Sequence, residues 1–407
     1  MNVSWLHDHA DDGAPTDPAF PRRRALLDPD VVGPTLVAAL PGVAGSPELL
    51  NVYYYPGRSL QAVWRVGPTV VTVAAYPVDR PLPVGDGVPL TAEHWVARVF
   101  PDDPGLPTLA AAAADLGADT ELFSYLPGRR AVLADPTRII KVSTPDLVVA
   151  AHRRQLALWS APDRRFRMPR PLSVHPKRGV RSEERVTGDR VDTRIGQVPP
   201  ERLAALVAGE LAALHACHLP VELPRLGAPE LLAKVERQAL RTLGRALAPL
   251  APQAEHVVAR LAATCPEPSG PPVTVHGDCH LANLLLDDAG LIFLDLDEIA
   301  LAEPEQDLAL FASRLLLVAV HRGERLEEAA NLVAALPDAY AAATGRPVTA
   351  AAFGWWLAAS LVGRQLKTSV RHLAPGLGPL AANLLDLAED TLAKGRFDPD
   401  LVRSMAA

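Results

Sequence analysis

Val275-His276-Gly277-Asp278-Cys279-His280-Leu281-Ala282-Asn283, followed further on by Leu294-Asp295-Leu296-Asp297, sets polar side chains inside otherwise apolar runs. Between the two, residues 284–286, the turn formers Asp287, Asp288, Ala289 and Gly290, and residues 291–294 read as a β-hairpin. A purely structural hairpin has little use for Asp278, Asn283 and Asp295 around it. Asp278 can orient a hydroxyl and take its proton. Asn283 and Asp295 offer the hard oxygen ligands that Mg²⁺ prefers. Asp297, two residues beyond Asp295, shares a face with it in an extended chain, so spacing alone does not separate the two aspartates.

The flanks of this stretch differ. Upstream of Pro200 the 40 prolines of the 407-residue chain are densest, and short β-type runs stand at 51–55, 62–66, 70–75, 121–125, 131–134 and 138–142. Downstream, Leu, Ala, Glu and Arg recur at helical spacing over 201–218, 229–247, 304–320, 326–343, 350–371 and 377–394. A sheet-rich first part and a helical second part holding one hairpin predict an α+β protein of two lobes. A hydrophobic content of 49% is enough for a folded chain, and the net charge of −7 excludes a general nucleic-acid binder. Cys217, Cys265 and Cys279 form neither a disulfide framework nor a zinc spacing, which fits a reducing, cytoplasmic compartment. Residues 1–20 hold no apolar signal core, and the apolar run 308–320 is interrupted by Arg314, so no membrane segment is expected.

The first part also echoes itself. Tyr55-Pro56-Gly57-Arg58 before Val70-Val71-Thr72-Val73 parallels Tyr125-Leu126-Pro127-Gly128-Arg129 before Ile139-Ile140-Lys141-Val142. On that alignment Thr72 stands where the second copy has Lys141.

His276-Gly277-Asp278-x-His280-x-x-Asn283 with Asp295 resembles the catalytic motif of the aminoglycoside phosphotransferase and choline kinase-like family. Glu303-Pro304-Glu305-Gln306-Asp307 resembles the family's helix start after the metal aspartate, with Asp307 bracing the loop. Leu211-Ala212-Ala213-Leu214-His215 resembles the helix before it. The resemblance implies a protein-kinase-like bilobal fold with an extra cap-like region at 1–120, a small nucleotide-binding lobe at 121–199 and a helical lobe at 200–407. It implies transfer of the γ-phosphate of ATP, or GTP in its place, to a hydroxyl of a sugar-like, aminoglycoside-like or other small acceptor. In that reading Asp278 is the base and Asn283 and Asp295 hold Mg²⁺. Lys141, with Gly128 and Arg129 of the preceding turn, meets the phosphates, and Glu184 and Val186 present hinge backbone to the purine.

Two features depart from the family pattern. Residues 143–161 should carry the helix glutamate that positions the lysine, yet Asp146 is their only acid and Gln155 is a neutral stand-in. That gap, with a turn at 127–130 that is not a Gly-x-Gly-x-x-Gly loop, leaves a nucleotide-binding pseudokinase with a regulatory role as the alternative. Asp295-Leu296-Asp297 also lacks the Phe-Gly of protein kinases, which suits a small-molecule kinase. On the acceptor side, Arg364, Lys367 and Arg371 fall on one helix face. If that face borders the acceptor, a neutral or anionic substrate fits better than a polyamine. Trp355 and Trp356 read as core, as does the helix carrying His215, Cys217 and His218.

Overall fold

The computed structural model describes residues 17–83, 85, 87–117, 120–268 and 270–405, so most of the stretch read as lacking a signal core lies outside it. Two five-stranded antiparallel sheets come first. One comprises β1 (Pro47–Tyr55), β2 (Ser59–Val66), β3 (Thr69–Ala75), β4 (Val88–Leu90) and β5 (Trp95–Val99). The other comprises β6 (Glu121–Leu126), β7 (Arg130–Ala134), β8 (Arg138–Val142), β9 (Pro171–His175) and β10 (Val180–Glu184). The spatial orders, β1-β2-β3-β5-β4 and β6-β7-β8-β10-β9, are the same.

The echo in the sequence thus extends to topology, and it continues in detail. Each first hairpin closes on a Pro-Gly turn whose glycine has positive φ, Gly57 at 66° and Gly128 at 73°. Arg58 N donates to Tyr55 O at 2.9 Å and Arg129 N to Leu126 O at 3.0 Å, the i to i+3 bonds of a β-turn. Register shifts fall between Leu49 and Asn51 in β1 and between Leu122 and Ser124 in β6. Counted from those shifts, Thr72, paired with Val63 and Arg98, occupies the place of Lys141, paired with Val132 and Arg181. The copies part after their third strands: the second has the helix Pro145–Trp159 there and the first has none.

Both faces of the first sheet are buried, which is why its strands read as nearly unbroken apolar runs. Val52, Tyr54, Trp64, Val71 and Val73 pack with Leu26 and Leu36. Tyr53 and Val63, on the other face, meet Leu109 and the Ala131, Leu133 and Ile140 face of the second sheet.

The second half is helical from Pro200–His215 to Leu377–Lys394, with the hairpin Leu284–Asp287 and Gly290–Phe293 inserted as expected. Its helix Glu305–Arg322 carries Glu305 and Asp307 in the first turn, His321 and Arg322 in the last, and Gly323 in the left-handed conformation after it, matching the helix dipole at both ends. The α+β architecture, a sheet-rich first part and a helical second part, stands. Among the described residues no helix is long and apolar enough to cross a membrane.

Several elements were not anticipated. The helix Ala251–Ala263 and strands β4, β5, β9 and β10 gave no readable pattern, and the pair Val273–Val275 with Ala300–Ala302 is too short to alternate visibly. The predicted helix over 350–371 is divided, with α-helix Ala350–Ser360, a π-helical stretch Leu361–Leu366, then α-helix Lys367–Arg371. Trp355 and Trp356 are buried, Trp355 donating its indole N–H to Leu261 O at 2.9 Å.

Candidate active site

The loop after Val275 is held by its neighbours. Gly277 has φ 76°, and a Cβ on it would meet Glu298 O at 2.2 Å, so only glycine fits. The fully buried Asp307 carboxylate accepts from His276 N at 2.6 Å and Gly277 N at 3.0 Å. Its Oδ2 also meets His215 Nε2 at 3.1 Å, and His215 Nδ1 meets the Tyr340 hydroxyl at 2.8 Å. His276 takes the Asp278 N–H on Nδ1 at 3.3 Å and reaches Leu294 O with Nε2 at 3.0 Å, tying the loop to the strand that delivers Asp295. Asp307 braces the loop in the manner the resemblance implies, and His215 belongs to the same brace.

His280 is a second brace. Its Nδ1 accepts from Ala282 N at 3.2 Å, and burial pushes its pKa down to about 3, so the ring is neutral at working pH. Asn283 donates its amide nitrogen to Asp278 O at 3.0 Å, which leaves the amide oxygen to offer to a cation. Asp295 sits at φ 54°, a left-handed conformation that non-glycine residues adopt mainly where the surroundings enforce it.

Lys141 reaches this site from β8. Its ammonium lies 2.7 Å from Asp295 Oδ1, 3.3 Å from Glu183 Oε1 and 3.6 Å from Asp297 Oδ1. Burial alone would lower its pKa, and Asp295, Asp297 and Glu183 hold it above the ordinary value instead. Burial works against the Asp295 carboxylate too, but Lys141 and Arg130 keep it well below the carboxylate range. Arg130, next to the expected phosphate turn, comes within 3.7 Å of Asp295 Oδ2.

The acid absent from the helix stands on the neighbouring strand. Glu183 of β10 contacts Lys141 and also accepts from Arg181 Nη1 at 3.1 Å and from Gln155 Nε2 at 3.1 Å. Gln155, on the helix Pro145–Trp159, accepts from Arg181 at 2.6 Å and donates to Asp297 Oδ1 at 3.2 Å. Arg181 also bonds Asp297 directly. Asp297 is therefore engaged with Arg181 and Gln155, while Asp295 faces Lys141 and Arg130. Sequence reasoning passed over Arg181 and Glu183; two charged residues two apart in a strand, hence on one face, were the available signal.

At the hinge, Glu184 N donates to Arg170 O and Arg185 N to Thr137 O, both at 2.9 Å, so neither amide is available to a base. The expectation for the turn needs correction at Gly128: its N–H donates to Asp103 Oδ2 at 2.7 Å, and a donor committed to a carboxylate does not face a phosphate. Arg129 is exposed, its carbonyl accepting from Ser143 Oγ at 3.0 Å.

Arg364 in the π-helical stretch bonds Asp278 Oδ1. Burial would raise the Asp278 carboxyl, but its neighbours, the Arg364 guanidinium foremost with His280 and His276 adding to it, hold the group below its usual range. Of the basic face read from the sequence, Arg364 meets the catalytic loop, whereas Lys367 bonds Gln238 and Arg371 lies over Tyr53 and Tyr55. The wider turn changes the helix phase at this point, and π-turns of this kind recur at functional sites.

Residues 154–351 match the phosphotransferase enzyme family. The matched stretch holds the Asp278 loop, Asn283 and Asp295, and this similarity supports a small-molecule kinase. No curated protein matches the chain. Among solved structures, a choline/ethanolamine kinase family protein from Mesorhizobium loti is similar at 16% identity and TM-score 0.49, over 73% of this chain and 99% of that one. An aminoglycoside phosphotransferase from Streptomyces rimosus, in complex with ADP and streptomycin, is similar at 22% identity and TM-score 0.42, over 67% and 97%. Choline kinase from Streptococcus pneumoniae is similar at 14% identity and TM-score 0.45, over 70% and 97%.

Proposed function

We propose that this kinase transfers the γ-phosphate of ATP, or of GTP in its place, to a hydroxyl of a small, polyhydroxylated acceptor in the cytoplasm. The observation that carries the reading is that Lys141 pairs with Asp295 while Asn283 and Arg364 both bond Asp278, which gathers these residues about one loop. Lys141 and Arg130 would draw the phosphates. Glu184 and Val186 would present the Glu184 carbonyl and the Val186 N–H to the purine. Asn283, through its free amide oxygen, and the ionised Asp295 fit Mg²⁺, which neutralises phosphate charge when bound. Asp278 orients the acceptor hydroxyl. The hydroxyl oxygen forms its bond to the γ-phosphorus, the bond from that phosphorus to the bridging oxygen of the leaving diphosphate breaks, and the hydroxyl proton passes to Asp278.

The pseudokinase reading rested on the missing helix acid and the poor phosphate loop, and Glu183, which supplies a carboxylate to Lys141 from the adjacent strand, removes the first of these supports. The test is Asp278→Asn. It should keep the fold and the thermal stabilisation by nucleotide while lowering turnover at least roughly 100-fold. Turnover at the wild-type rate would refute the assignment of this loop.

A further inference from the structure

Beside the Asp278 loop, between the helix Ala228–Ala246 and the π-helical stretch, lies a cavity of about 60 Å³ whose lining includes Gly277, Lys234, Arg364 and Lys367. The three cations come from the helix Ala228–Ala246, the π-helical stretch and the helix Lys367–Arg371 that follows it, and meet next to the Asp278 loop. Only Arg364 is matched there, and its partner is Asp278 itself. Lys367 donates to a neutral group, Gln238 Oε1, at 2.9 Å. Of the two acids in the lining, a Glu230 carboxylate oxygen lies 3.0 Å from where a Gly227 Cβ would stand, at the start of its helix, and the exposed Glu298 offsets the charge of Lys234 only in part.

The cations also repel one another. Burial, then Lys234, Arg364 and Arg371, pull the Lys367 ammonium down to about 8, and burial and Arg364 pull Lys234 down against Glu298 and Asp278. An anion in the cavity would relieve that repulsion. It would also compete with Asp278 for Arg364 and free the Oδ1 that a substrate hydroxyl needs. A polyamine would meet three cations at the same place.

Building on the phosphotransferase reading above, we propose that the acceptor is an anionic polyol, a sugar acid or sugar phosphate, whose charged group is bound by Arg364, Lys367 and Lys234. Calorimetric titration of the full-length, ADP-loaded protein with D-gluconate, D-glucose 6-phosphate, D-glucose and kanamycin tests it. At least one anion should bind about tenfold or more tightly than glucose, and kanamycin should bind more weakly than that anion. Preference for gluconate identifies a carboxylate subsite, and preference for glucose 6-phosphate a phosphate subsite. Replacing both lysines, Lys234→Gln with Lys367→Gln, should weaken the anion about tenfold and move the ADP affinity less than about twofold. Glucose or kanamycin binding as well as the anions, no anion binding at millimolar concentration, or an unchanged anion affinity in the double variant would each overturn the proposal. ADP binding with no anion preference overturns this proposal alone, whereas failure of the wild type to bind ADP overturns the phosphotransferase reading and this proposal with it.

Discussion

Replacing Glu183 with Gln tests whether the strand acid does the work expected of the helix. Glu183 is 5% exposed and lies 3.3 Å from Lys141 and 3.1 Å from Arg181. At an effective dielectric near 20, each contact is about 5 kcal/mol of Coulomb attraction. Desolvation of the carboxylate offsets several kcal/mol of that, and breaking a buried pair by removing one charge costs about 3–5 kcal/mol in practice. The amide retains shape and hydrogen bonding, so the lower end applies, about 3 kcal/mol, or a fall in Tm on the order of 5–10 °C. The nucleotide KM should rise several-fold because Lys141 loses one of the groups that hold it. The second change is Gln155→Glu. Alone it sets a new acid within 3.1 Å of Glu183 and 3.2 Å of Asp297 and should destabilise. Combined with Glu183→Gln it restores the charge count from the helix side and should recover half or more of the lost Tm. Differential scanning fluorimetry and nucleotide KM on the two single variants and the double read this out. An unchanged Tm and KM in Glu183→Gln, or a double variant no more stable than that single one, would show that Lys141 is not held by Glu183.

The two aspartates should separate. Asp295→Ala abolishes the thermal stabilisation given by ATP with Mg²⁺, whereas Asp297→Ala lowers the unliganded Tm, since Arg181 loses a partner, and keeps the nucleotide increment. The reverse ranking would assign the metal to Asp297. The pH dependence follows from Lys367, whose pKa is about 8 in the folded protein against 10.5 for a free lysine. Below about pH 8 both folded and unfolded chains hold the proton. Between there and 10.5 the unfolded chain holds more, so the stability attributable to this group rises with pH. Affinity for an anionic acceptor moves the other way: its KM should rise above pH 8, and Lys367→Arg should flatten the rise. The same rise in Lys367→Arg would place the titration elsewhere.

What was legible in the sequence was what lies close together along it. Asp278, Asn283 and Asp295 stand within one loop and one hairpin, so their spacing carries the geometry. The lysine clamp does not, because Glu183 and Lys141 meet only through the pairing of β10 with β8, which the residues 180–184 do not reveal by themselves. Gly128 failed as a phosphate donor for a similar reason: the competing acceptor, Asp103, sits on the connection after β5 and reaches the turn only once the two sheets are packed. Arg364 could be placed on a face but not against Asp278, since the phase of that helix is set by its π-helical turn.

The two sheets share a topology but not a lysine. In the first, the position of Lys141 is taken by Thr72, so no cation stands at the matching register. The face that carries this position is also closed, Tyr53 and Val63 being packed against the second sheet and the Tyr53 hydroxyl donating to Tyr125 O at 2.7 Å. Its first strand instead meets the far end of the divided helix. His372 Nδ1 and Asn51 Oδ1 are 3.0 Å apart, and the Arg371 guanidinium lies over the rings of Tyr53 and Tyr55 at 5.3 and 5.4 Å. One strand thus touches both the lobe that bears Lys141 and the helix that bears Arg364. The first sheet links Lys141 and Arg364 through one strand, sharing the second sheet's topology but not its cation.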